Sequence, residues 1–600
     1  MEFIDERSQE FWNWFTQSLS DRQRTILLLL ILSAFGLVFI LGDKVNSSQI
    51  LVLGGLVLVV ALYMLWVKRR KIALIAVILV AASCTIAALF YFTTTHRSLV
   101  RSIARAQEYE RQGNYQASLA ILAEAKNLFS ESIAEGKVSA DASLCLVSLA
   151  QIEIILGKWD EAERDLNLSA QLLDNTNQCA ERADIALWIG ELARLRGDPI
   201  QAHAKFDDAL SRYQACNNAR GAADATLGLG KAASVGRHPD YVEAKKYCEL
   251  ADQLYSSVGN KVGQADALAA EGDVFHNTGD YDRALAKYVK ARQLNEEDEY
   301  RPGQVDVHLK IGDLYSDQAL WDSARSEYDQ ASSIAKDIKS LWRDSLSEDS
   351  LGDIEVEHGS CDVAIHHYEQ SEKDALDIHW KYAVAMIRVG KGYAEIYRGN
   401  FDDAQNDLKW GLDGYHEIGN SKGEAEANIG MGELCLERHD FDRARAHFDY
   451  AMELLPKSDE PDLRAHALRG RADVERNQQL YAQATTDYQE ALTLFQRVQD
   501  RKGEASVLVG EGRLAEAWHQ DKDIAGKLYE QAMSIYQDKG ISDRRGQARV
   551  CEAEAALLSS VDLPQARAKY QAALEHYTIL GDKAKIDELT TLLSNSSRRA

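Results

Sequence analysis

Proline is nearly missing from this chain, with six in 600 residues, about a fifth of ordinary usage. Proline removes a backbone donor and clashes with the preceding turn, so its scarcity permits long uninterrupted helices. Basic residues are also few. Sixty-eight Lys and Arg face 93 Asp and Glu, a formal charge of −25, which argues against nucleic-acid binding because that needs a basic surface to displace counterions. Catalytic signatures are lacking. There is no Gly-x-x-x-x-Gly-Lys-Ser/Thr loop, no His-Glu-x-x-His and no Gly-x-Ser-x-Gly elbow. Gly228-Leu229-Gly230 and Gly510-Glu511-Gly512 lack the preceding strand of a dinucleotide site. His366, His367 and His379 have no Cys or acid at ligand spacing, so no metal and no cofactor is expected. An enzyme is not expected.

What is present divides in two. Residues 1–97 hold nine Lys/Arg against six acids, and the remainder carries −28. Three stretches of the first part contain no charge: 25–42, 50–67 and 72–92. At 1.5 Å per residue each reaches about the 30 Å of a hydrocarbon core, and none shows a polar stripe. They predict three transmembrane helices and contact with a lipid bilayer. Residues 1–24, with Phe3, Phe11, Trp12, Trp14 and Phe15, read as an interfacial amphipathic segment. The turn Lys68-Arg69-Arg70-Lys71 favours a cytoplasmic N-terminus and an extracytoplasmic C-terminal region. Scattered cysteines pull towards a reducing compartment. The resulting expectation is an integral multi-pass protein of the cell or inner membrane.

Beyond residue 97 the chain repeats. Ala244, Ala284, Ala324, Ala364, Ala404, Ala444 and Ala484 recur at one unvarying interval, with Ala117, Ala162, Ala202, Ala525 and Ala566 at nearby spacing. Three residues earlier stands a large apolar residue such as Tyr241, Tyr281, Trp321 or Phe401. Four later comes another, such as Tyr288, Tyr328, Tyr368 or Phe448. These offsets fall on one helical face. Twelve residues before the Ala lie Gly272, Gly312, Gly352, Gly392 and Gly432. A mid-helix Gly costs about 1 kcal/mol, so its recurrence implies backbone-to-backbone packing of two helices. The run Gly272…Phe275…Gly279-Asp280-Tyr281…Ala284…Tyr288…Ala291 resembles the tetratricopeptide repeat in its 40-residue variety. Cys361 and Lys522 depart from that pattern where an aromatic precedes the Ala, and the first repeat is degenerate.

The fold expected is all-α: the three transmembrane helices, then, as the resemblance implies, a right-handed α-solenoid of about twelve helix pairs over 93–581, with a capping helix and tail over 582–600. It also implies a binding module with a concave groove lined by the first helix of each pair, and leaves the ligand open. Cys179 and Cys216, 37 apart, could meet across adjacent repeats as one disulfide. Directly after the packing Gly or its equivalent come Glu191, Asp273, Asp313, Asp353, Glu433 and Asp473, with Tyr393 as the exception. Four residues on lie Asp317, Glu357, Tyr397 and Glu437. These positions are the candidate partner-binding residues, suited to a basic segment of a protein partner. A second reading is that the acids only solvate a helix. The functional expectation is a membrane-anchored scaffold that organises a protein partner. The alternative is a membrane signalling receptor or regulator whose repeats sense a peptide or protein. Oligomeric state is not legible.

Overall fold

The structure is a computed structural model and describes residues 101–597 except 111–114, 135–139, 174–177, 236–238, 319, 459, 539–540 and 542. Those residues belong to one unit, Leu99–Ala600. From Tyr115 to Ser597 they form 24 α-helices and one short π-turn, Ala515–His519, with a helical stretch at 101–110 before them. Most helices are of closely similar length and alternate as first and second members of a pair. Examples are Lys261–Asn277 with Tyr281–Glu297, Arg301–Asp317 with Trp321–Asp337, and Leu341–His358 with Cys361–Asp377. The last helix, Lys583–Ser597, packs on Leu563–Leu580.

Local chemistry sets the ends of these helices. The position three residues before the Ala is the first residue of the second helix, aromatic at Tyr241, Tyr281 and Phe441. Behind it, Asp240 and Asp280 accept hydrogen bonds from the Glu243 and Arg283 amides at 2.8 and 3.2 Å, satisfying donors a helix start leaves free. Four of the six prolines sit in a first turn: Pro199, Pro302, Pro461 and Pro564. There the missing N–H costs nothing. The turn glycines Gly279 and Gly399 adopt φ of 75° and 84°, a region where a side chain would be strained.

Packing follows the repeat. Every aligned Ala from Ala244 to Ala525 is fully buried, as are Tyr288, Tyr368, Phe448 and Tyr488. The recurrent glycine has a different role from the one expected. A Cβ on Gly272 would stand 2.5 Å from the ring of Tyr288, and one on Gly352 2.6 Å from Tyr368. The glycine therefore makes room for an aromatic ring of its partner helix rather than for a backbone. A second set, Gly263, Gly423, Gly503 and Gly546, does the same near the start of first helices, against Tyr255, Tyr415, Phe495 and Tyr536.

First helices of successive pairs also pack against one another, so they crowd the inner side and the array curves. The curvature brings its turns into contact. Tyr115 lies edge-on to Trp342 with centroids 5.9 Å apart, Trp342 meets Trp380 at 6.1 Å, and Trp159 meets Tyr382 at 6.2 Å. One apolar cluster joins Ile103, Leu122 and Leu149 to Tyr368, Ile378 and Ile387. Further on, the Cys361 thiol faces the Leu580 carbonyl oxygen at 3.9 Å across 219 residues of chain, and Lys502 pairs with Glu357.

The membrane expectation is corrected. No helix among the described residues is long and apolar enough to cross a membrane. Their apolar side chains pack helix on helix, and the opposite faces carry charge. The expected spans 25–42, 50–67 and 72–92, the segment 1–24 and the turn Lys68, Arg69, Arg70 and Lys71 lie outside the described residues. A multi-pass membrane localisation, bilayer contact and the membrane-receptor alternative are not carried further.

Candidate functional site

The inner positions of the first helices hold the sequence-predicted residues, and most of them are already engaged. The Tyr288 hydroxyl donates to Asp273 at 2.8 Å, Tyr328 to Asp313 at 2.7 Å, Tyr368 to Asp353 at 2.6 Å and Tyr488 to Asp473 at 2.7 Å. All four bonds have the same separation in sequence, fixed by the step from the residue after the packing Gly, or after Ala472 in its place, to the aromatic four past the Ala. Lys310 reaches both oxygens of Asp273 at 2.8 Å. Glu191 takes two bonds from Arg194, at 2.9 and 2.6 Å. Asp317 meets His276 at 2.8 Å, Glu357 pairs with Lys502, and Glu433 pairs with Arg469. Arg469 and Arg476 each come within 3.4 Å of Asp473.

The expected ladder therefore splits in two. Towards the C-terminal end cations neutralise it. The Arg545 guanidinium lies 3.9 Å from the centroid of Tyr397. Tyr397 and Glu437 share a cavity of about 200 Å³ with Arg545, Arg549, Lys585 and Glu588. Burial opposes ionisation of Asp473, but Arg476, Arg469 and the Tyr488 hydroxyl outweigh it and hold the carboxyl below its ordinary range. Glu191 is likewise held low, against its burial, by Arg194.

In the middle repeats the acids outnumber their cations. Burial pushes the Asp313 carboxyl up, and Asp317 adds to it. Asp266 is pushed up to about 6 by burial, with Asp306 and Asp224 contributing. Asp349 and Asp353, one helical turn apart, are both pushed up by burial and by Glu426, and Asp349 also by Asp353. Asp349 is 8% exposed. Tyr393 and Tyr397 stand beside this region with ring centroids 6.5 Å apart, and the Tyr393 hydroxyl lies 3.5 Å from the Glu426 carbonyl oxygen.

Sequence spacing alone misses Asp349, Glu426 and Asp266. Their signal is an acid on the same inner stripe but outside the register of the packing Gly. It also misses Asp462, His466 and Asp500, whose donor atoms lie within 4.8 Å of one another. Asp500 there caps the next helix through the Gly503 amide at 2.9 Å. His367 is half-buried and bonded to Glu348 at 2.7 Å. Burial opposes ionisation of Glu348, and the bonds from His367 and Lys336 overcome it and bring the carboxyl down to about 2. Cys179 and Cys216 form a disulfide with Cα atoms 6.1 Å apart. It closes one helix pair, from the start of Cys179–Leu195 to the end of Pro199–Ala215, rather than bridging two repeats.

No protein-family model and no curated protein matches the chain. Among solved structures it is similar to a Rap protein complexed with competence and sporulation factor, at 12% identity over 60% of this chain and 99% of that one, with a TM-score of 0.42. It is similar to the APC/C hetero-tetramer Cut9-Hcn1 at 14% identity over 83% of this chain and 95% of that one, TM-score 0.40. Yeast Tom70 is similar at 14% identity over 79% of this chain and 99% of that one, TM-score 0.35. Likenesses this distant carry no argument about function. What the structure itself gives is an all-α helical repeat solenoid.

Proposed function

We propose that the chain is a protein-interaction scaffold rather than an enzyme, and that the inner face of its middle repeats takes up a basic segment of a protein partner. One observation carries the reading. The first helices from Lys261 to Glu437 place Asp266, Asp313, Asp349, Asp353 and Glu426 on one side of the array, and none of these is in a salt bridge among the described residues. Acids stacked at repeat spacing sum their potentials within a Debye length of about 8–10 Å. They favour an extended or helical ligand with Lys or Arg at matching intervals. Fluorescence anisotropy of the full chain with labelled acetyl-(Gly-Lys)5-amide tests this between about 50 and about 300 mM salt. Binding should weaken steeply with salt and be absent for acetyl-(Gly-Glu)5-amide. Equal binding of both peptides, or binding of neither, would remove the reading.

A further inference from the structure

A histidine and two aspartates converge at the joint between two successive repeats. Asp462 and His466 stand four residues apart on Pro461–Asn477, so both side chains leave one face of that helix. Asp500 is the residue before Arg501–Leu514, the first helix of the next pair. His466 Nε2 lies 3.6 Å from Asp462 Oδ1 and 3.8 Å from Asp500 Oδ2, and the three donor atoms lie within 4.8 Å of one another. These separations are too long for hydrogen bonds, and the imidazole makes no hydrogen bond among the described residues. They match the spacing of ligand atoms around one metal ion. In a tetrahedral shell, bonds of about 2.1 Å put neighbouring donors about 3.4 Å apart.

Packing presets two of the three side chains. The His466 ring lies edge-on to the fully buried Phe495, with centroids 4.9 Å apart. Asp500 Oδ1 accepts the Gly503 amide at 2.9 Å as a helix cap, which leaves Oδ2 on the side of His466. A Cβ on Gly503 would collide with both the Phe495 ring and Asp500 Oδ2, so the glycine lets carboxylate and ring sit side by side. Charge also favours a cation. Two carboxylates outweigh the roughly half a positive charge presented by each of the two helix starts. Arg464 and Lys502, each two residues from the cluster, are engaged by Glu490 at 3.1 Å and by Glu357.

We propose that Asp462, His466 and Asp500 bind one divalent transition-metal ion of the zinc type, which pins the angle between the first helices of two successive repeats. One imidazole nitrogen with two carboxylate oxygens suits Zn²⁺ better than Ca²⁺ or Mg²⁺, which take six or more oxygen donors. Three protein ligands leave one tetrahedral position to water. The ion ties Pro461–Asn477 to the start of Arg501–Leu514, helices that already touch, and stiffens the array between them. No spacing in the sequence shows the site, because Asp500 belongs to the next repeat.

The test uses the full chain, stripped with EDTA and dialysed, with Zn²⁺ titrated by calorimetry and Co²⁺ by visible absorption. We expect one strong equivalent of Zn²⁺ per chain, weakened about tenfold or more by His466→Gln and by Asp500→Asn. Asparagine keeps the helix cap and loses the anionic donor, so Asp500→Asn should match the wild type in thermal midpoint without metal, which separates ligand loss from misfolding. His416→Gln, which removes another histidine lying beside a carboxylate, should bind Zn²⁺ as the wild type does. Co²⁺ should give d–d bands without a near-ultraviolet thiolate band. Zn²⁺ should slow hydrogen exchange in Pro461–Asn477 and Arg501–Leu514, and should fail to do so in His466→Gln. No Zn²⁺ binding by the wild type, or equal binding by the wild type and His466→Gln, overturns the site. A thiolate band overturns the assignment to these ligands, and Ca²⁺ or Mg²⁺ bound as tightly as Zn²⁺ overturns the class of ion.

Discussion

In three repeats the residue after the packing glycine is Asp and the aromatic covering that glycine is Tyr, and a fourth keeps the Asp–Tyr pair with Ala472 in the glycine's place. The pairs are Asp273 with Tyr288, Asp313 with Tyr328, Asp353 with Tyr368 and Asp473 with Tyr488. Where the covering residue is Phe206, Leu408 or Phe448, the position holds Glu191, Tyr393 or Glu433 instead. The physical reason is reach. A short Asp meets a hydroxyl lying over the glycine, and without that hydroxyl a longer Glu extends to Arg194 or Arg469. Much of the acidic ladder is thus packing chemistry, and Asp266, Asp349 and Glu426, which take no such tyrosine bond among the described residues, lie off its register. The glycine beneath the ring is equally constrained. Gly352→Ala would place a methyl 2.6 Å from Tyr368, and overpacking of this kind costs about 1–3 kcal/mol. Urea unfolding should show a lower midpoint for Gly352→Ala, partly restored by adding Tyr368→Leu. An unchanged midpoint would show that the ring moves aside freely.

At the scale of the element, helix limits were largely written in the sequence because their determinants are local. An Asp or Asn cap, an aromatic first residue and a turn Gly at positive φ mark second helices such as Tyr281–Glu297 and Phe401–Glu417, and others keep only part of this set. First helices were less legible, since the glycine near their start makes sense only once the ring above it is known. The disulfide is likewise an element-level feature, since it ties together the outer ends of one helix pair. Closing a loop of 37 residues restricts the unfolded chain by about 3–4 kcal/mol in the loop-entropy account. Reduction should therefore speed hydrogen exchange across 179–216 and leave 421–498 unchanged. Equal protection in both redox states would mean that packing alone holds this pair.

For the whole molecule, a repeat array is expected to be one-dimensional, each pair contacting only its neighbours. This one is not, because Tyr115 packs against Trp342, which in turn meets Trp380, and both lie several repeats further along the chain. Trp342→Ala should cost about 3–5 kcal/mol, as large aromatic truncations do. Its distinguishing effect is on place. Hydrogen exchange should rise in Tyr115–Ala134 as well as in Leu341–His358, with Tyr481–Val498 protected as before. Loss confined to the helices beside Trp342 in sequence would return the array to nearest-neighbour behaviour.

The constant repeat period, the buried Ala and the aromatic four residues beyond it were determined by the sequence alone, because a helix face is read at fixed offsets and each pair solves the same local packing problem. The groove did not follow in the same way. Whether an acid is free depends on which cation curvature brings to it: Lys502 reaches Glu357 from 145 residues away, and Arg545 covers Tyr397 from the end of the array. No spacing in the chain encodes those meetings. They arise from a small rotation repeated at every pair, which accumulates until one turn touches the next.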